Sequence, residues 1–113
     1  MKRKIQQLEN QVAKIKAELA TLGDLRPGSL SKQYNVCGEP NCRCKASPPQ
    51  RHGPYHQLSY TRKGKSSTRF VKRSELATVQ HQVENYARLR ALIDRWIDLA
   101  SELSELKLAA NRE

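Results

Sequence analysis

Cys37, Cys42, Cys44 and His52 fall within one short stretch, separated by four, one and seven residues. Thiolates and a neutral imidazole are the donors that zinc accepts in a closed tetrahedral site, and such a site supplies folding energy to a loop with little apolar content. Gly38 and Pro40 suit a tight knuckle, although a Cys-x-Cys step makes it harder for both sulfurs to reach one ion. Zinc is therefore the expected cofactor, with His56 as a rival fourth ligand to His52. Two other readings compete: structural thiols without metal, and redox thiols whose thiolates are favoured by Arg43, Lys45 and Arg51. Three cysteines cannot all close into disulfides within one chain.

The charge around these residues points to a partner. The 113 residues carry 21 Lys/Arg and 11 Asp/Glu, a formal net charge of +10. Residues 26–73 hold eleven of the basic residues and one acid, Glu39, while the flanks hold ten of each sign. A field concentrated in that way favours an anionic partner, and nucleic acid is the commonest. The candidate contacts are Lys32, Arg43, Lys45, Arg51, Arg62, Lys63, Lys65, Arg69, Lys72 and Arg73, with Ser66, Ser67 and Thr68 as neighbouring hydroxyl donors. A solvated basic surface is the plainer alternative. Tyr34, Tyr55 and Tyr60 are assigned to the core in preference to base stacking. Two-metal phosphoryl chemistry needs several carboxylates and this stretch has one, so no catalytic residues are assigned.

Two helices must carry the basic stretch. Ile5, Leu8, Val12, Ile15, Leu19 and Leu22 alternate in steps of three and four, which makes three heptads of a coiled-coil seam. Gly23 is expected to end this helix in the left-handed conformation. Residues 24–35 read as an ordered connector. Tyr55 to Tyr60 and Ser66 to Val71 read as a hairpin, for which two registers are open. A two-residue turn at Lys63-Gly64 pairs Leu58 with Arg69. A three-residue loop pairs Leu58 with Thr68 and His56 with Phe70. The second is preferred, and it sets His56, Leu58, Tyr60, Thr68 and Phe70 on one face, with Gln57, Ser59 and Arg69 on the other.

From Ser74, a suitable N-cap, one helix is predicted to reach about Ala110. Its expected stripe is Leu76, Val79, Val83, Tyr86, Leu89, Ile93, Trp96, Leu99, Leu103 and Leu106. A first helix folded back over residues 76–98 leaves Leu99, Leu103 and Leu106 bare, and these are the expected oligomer interface. The fold class is α+β, with a coiled-coil helix (1–24), a basic Cys/His and hairpin head (25–73) and a long helix (74–113). No stretch approaches the roughly 20 apolar residues that span a bilayer, and no secretory signal is evident, so a cytoplasmic protein without a membrane partner is expected.

The run Leu25-Arg26-Pro27-Gly28-Ser29-Leu30-Ser31, then Cys37-Gly38, Asn41-Cys42-Arg43-Cys44, His52-Gly53-Pro54-Tyr55 and Thr68-Arg69-Phe70-Val71 resembles a family of small, functionally uncharacterised bacterial proteins. The family shares this core between helical ends, and the resemblance treats Cys37, Cys42, Cys44 and His52 as one unit. It also implies an association with mobile elements and so an accessory role in transposition or its regulation.

Together these features predict a homodimeric or larger coiled-coil assembly that presents a zinc-stabilised hairpin to nucleic acid, DNA ahead of RNA, without catalysis. The rival readings are an adaptor that binds a nucleic-acid enzyme such as a transposase, and a thiol redox sensor.

Overall fold

The structure is a computed structural model that describes residues 1–35, 39–46 and 52–112, with only the backbone of Asn35, Cys44 and His52. The element order is α1 (Lys2–Thr21), β1 (Ser29–Asn35), a single 3-10 turn (Arg43–Lys45), β2 (His52–Arg62), β3 (Lys65–Val71) and α2 (Leu76–Asn111), an α+β chain. Two compact units divide it: residues 1–25 with 84–113, and residues 26–83.

In the first unit the heptad seam is realised. Leu8, Val12 and Ile15 are buried with Leu92 and Leu99, and Leu19, Leu22, Trp96, Leu103 and Leu106 pack against them. The helices run antiparallel, because Glu18 pairs with Arg88 near one end while Glu9 and Lys4 pair with Lys107 at 3.3 Å and Glu102 at 3.8 Å near the other. The Lys16 ammonium lies 5.3 Å from the Trp96 ring centroid, a cation–π contact.

Three expectations are corrected here. Leu99 is buried, with Leu103 and Leu106 against the same cluster, so the stripe expected to be bare is covered within the chain. The reason is longitudinal. Asn85 donates to the Asp24 carbonyl at 2.8 Å, which holds the end of α1 beside that residue, so that α1 runs along α2 from there past Leu99 to Leu106. Second, the buried stripe passes through Leu92, whereas Ile93 is 38% exposed; steps of four and three run evenly from Leu92 to Leu106. Third, α1 ends with Leu22 in extended backbone at φ −66° and ψ 135°, so no left-handed glycine is needed at position 23.

In the second unit the connector expected at residues 24–35 contains β1, which makes an antiparallel three-stranded sheet in the order β1-β2-β3. Alternation of Ser29, Ser31 and Gln33 with Leu30, Lys32 and Tyr34 is the period-two pattern of a half-covered strand. Leu30 pairs with Leu58 and Lys32 with His56. Arg26 anchors the strand's approach, its N–H and Nε both donating to Gln82 at 3.1 Å.

The hairpin adopts the two-residue turn. Leu58 pairs with Arg69 and His56 with Val71, and Lys63 and Gly64 have φ of 52° and 79°, both positive as a type I′ turn requires. Against the preferred register this is a shift of one residue, which moves every β3 side chain to the other face. Val71 and not Phe70 joins the core, where Leu58 is fully buried with Val79 and with Leu30, Tyr60, Leu76 and Val83 packed around them. Arg69 shares the covered side but stays at its rim, where Glu75 lies 3.6 Å away. Helix α2 starts at Leu76, later than an N-cap at Ser74 implies, after a turn in which Lys72 N–H donates to the Glu75 carboxylate at 3.3 Å.

The two registers predict opposite stabilities. Leu58→Ala is expected to cost about 3 kcal/mol in urea unfolding, whereas Phe70→Ala, at a side chain 66% exposed, is expected to cost less than about 1 kcal/mol. A larger loss for Phe70→Ala than for Leu58→Ala would overturn the observed register.

Candidate nucleic-acid interface

The tight turn decides where the hairpin's cations stand. With two residues at the tip, Arg62 and Lys65 are direct partners and Lys63 sits between them, so three cationic side chains crowd one end of a two-stranded ribbon. All three are exposed. Their mutual repulsion is relieved by solvent or by an anion, and among the described residues no acid pairs with them. Thr61 and Ser66 meet beside this tip through a hydroxyl–hydroxyl bond of 2.9 Å.

The other predicted contacts are spread over the unit. Lys32 is exposed on β1, Arg43 and Lys45 begin and end the 3-10 turn, and Lys72 and Arg73 follow β3. Arg69 is partly committed to Glu75. Arg51 lies outside the described residues. Against the eleven Lys/Arg of residues 26–83 stand two acids, Glu39 and Glu75.

Of the expected metal ligands only the Cys42 side chain is described; Cys37 and the side chains of Cys44 and His52 lie outside the described residues. Cys42 stands where two turns meet. Its N–H donates to the Glu39 carbonyl at 3.2 Å, and its own carbonyl accepts from Lys45 N–H at 3.0 Å. This is the tight backbone that Pro40 and the short cysteine spacing suggest. Among the described residues no three His, Cys, Asp or Glu side chains gather into a possible metal site. The rival ligand His56 lies on the covered side of the sheet, half-buried, across from Lys32 and Val71.

Sequence reasoning missed the sheet's open face. Because directly paired residues share a face, Gln33, Tyr55, Gln57, Ser59, Thr68 and Phe70 project together away from Leu58. Tyr55 is 43% and Phe70 66% exposed. These two aromatics are diagonal neighbours on adjacent strands; the sequence places Tyr55 in the core and, by the three-residue register, Phe70 on the face of Leu58, and both instead face away from it. Tyr60 does pack there, while Tyr34 is exposed. Where β2 outruns β3 a cavity of about 650 Å³ opens around the sheet's end, lined by Pro54, Tyr55 and Phe70, by His56, Val71 and Leu76 from the covered side, and by Lys72 and Arg73.

Glycine 53 shapes that corner. Its φ of +133° is one that side chains rarely adopt, and a Cβ there would lie 2.7 Å from the Gln33 carbonyl oxygen. The His-Gly-Pro-Tyr run thus contains a position at which β1 and β2 approach too closely for any side chain.

A family described as a domain of unknown function, DUF6788, matches residues 3–81, which is more than half of the chain. No curated protein and no solved structure matches. Among the described residues no helix is long and apolar enough to cross a membrane.

Gly53→Ala is expected to destabilise the sheet unit by about 1–3 kcal/mol, the strain of that backbone conformation together with the close carbonyl. Thermal unfolding followed by circular dichroism checks it, and an unchanged melting temperature would refute the account of this position.

Proposed function

We propose, for a chain that belongs to the DUF6788 family, a non-catalytic role in which residues 26–83 bind nucleic acid through the hairpin tip and the cations around it. The observation that carries this reading is the cluster Arg62, Lys63 and Lys65 at the turn, exposed together in a unit with eleven basic residues and two acids. A two-stranded ribbon with a cationic tip is narrow enough to follow a groove or a phosphate track. DNA is placed ahead of RNA. The scarcity of carboxylates argues against phosphoryl transfer through paired metal ions.

Zinc held by Cys37, Cys42, Cys44 and His52 would stabilise the segment between β1 and β2. The donor set and the two turns that meet at Cys42 support this assignment. An accessory role beside a mobile-element enzyme follows from the family resemblance and names the class of partner to test.

A second reading, the protein-interaction adaptor, is favoured by α2. Ile93 and Ile97 stand four residues apart on one helix face and are 38% and 57% exposed. They offer a surface to a partner helix or to a second copy, and they take the place of Leu99, Leu103 and Leu106 in the argument for a homodimer.

Titration of fluorescent duplex DNA at about 50 and about 200 mM salt tests the main reading. Replacing Arg62, Lys63 and Lys65 by Ala is expected to reduce the slope of log affinity against log salt by about 2–3, since each phosphate neutralised contributes about 0.9. An unaltered slope would remove the tip from the interface. Metal analysis of untagged protein is expected to give about one zinc per chain; a value well below one would move weight to the redox sensor, in which case Cys42→Ser leaves the fold intact.

A further inference from the structure

We infer that the cavity at the end of the sheet takes an unpaired base of a single-stranded nucleic acid, stacked on Phe70 and Tyr55, with Lys72 and Arg73 on the adjoining phosphates. This rests on the nucleic-acid reading above and deepens it, because it names the form of strand and a second contact region besides the hairpin tip.

Four observations converge on it. Phe70 is the most exposed of the large apolar residues, at 66%, and Tyr55 beside it is 43% exposed. Leaving an aromatic ring in water forfeits burial of some 150–250 Å², so two on one open face amount to an uncovered stacking platform. The cavity that they line together with His56, Val71 and Leu76 at the sheet's end measures about 650 Å³, within the range that holds small organic ligands. The same cavity is rimmed by Lys72 and Arg73, both exposed and, among the described residues, in no ion pair. Finally, the rest of the open face is neutral, its serines, threonines and glutamines, among them Gln33, Gln57, Ser59 and Thr68, carrying only hydroxyls and amides. A base presents a neutral π-face and polar edges between charged phosphates, and the platform and its rim reproduce that division. In a duplex those π-faces are already stacked on their neighbours, which is why an unpaired base is the ligand.

Fluorescence anisotropy on the full chain tests this with oligothymidylate and oligouridylate of about 12 nucleotides and a duplex of the same length. Either strand is expected to bind more tightly than the duplex. Phe70→Ala and Tyr55→Ala are each expected to weaken strand binding roughly 5- to 100-fold and to leave duplex binding unchanged, with Phe70→Trp restoring the lost affinity. Phe70 is exposed, so its variants are expected to fold, and circular dichroism verifies it. Strand affinity unmoved by both alanine variants, or a preference for duplex, overturns the inference. If strand and duplex then bind alike with steep salt dependence, the hairpin-tip reading survives alone; if neither binds at low salt, both readings fall.

Discussion

The packing of Leu58 with Val71 and Val79 is the constraint on which the sheet unit depends. Leu58 has no measurable exposure, and enclosing a leucine is worth roughly 2 kcal/mol. Because side chains alternate along a strand, putting Val71 rather than Phe70 beside it settles the face of every residue in β3. The cost appears at the turn, where Lys63, a residue with a Cβ, takes φ of 52°. That conformation is uncommon for a side chain other than Asn, Asp or Gly. Its penalty is small beside a filled core, and the tight turn follows from the packing.

The candidate interface inherits its geometry from the same choice. The other register places Phe70 under α2 and turns Arg69 and Val71 to the open face beside Tyr55. The observed one turns Phe70 outward beside Tyr55, brings Arg69 to Glu75, and makes Arg62 and Lys65 direct partners at the tip. The stacking surface and the cationic end of the ribbon are therefore two consequences of a single pairing. Gly53 adds a local condition, since the close approach of β2 to the Gln33 carbonyl shapes the strand end at which the cavity opens.

Helix α2 is shared between two cores. Leu76, Val79 and Val83 belong to the sheet's cluster, and Leu92 through Leu106 to the cluster with α1. A 20-residue helix is about 30 Å long, against about 54 Å for 36 residues, so α1 can cover only part of α2. The part it covers begins beside Asn85, which bonds to Asp24, and includes Leu99. Exposed apolar side chains are found instead at Ile93 and Ile97, to one side of the seam.

What the sequence determined by itself is the set of elements whose signal is local. The heptads from Ile5 to Leu22, the long uninterrupted helix after Ser74, the hairpin around Lys63-Gly64 and the basic middle were all legible, because periodicity, capping residues and charge are properties of neighbouring residues. Strand β1 was partly legible in its alternation but lacked the β-branched and aromatic density that usually marks a strand. Tertiary structure decided the rest. Whether Val71 or Phe70 enters the core depends on which fits with Leu58 and the first turns of α2, residues distant in the chain. Whether Leu99 is bare depends on where α1 comes to rest, which the bond from Asn85 to Asp24 helps fix. A one-residue shift in pairing inverts a face, and the local cost it carries at Lys63 is small beside a filled core, so packing chose between the two registers and, with them, whether Phe70 faces the solvent.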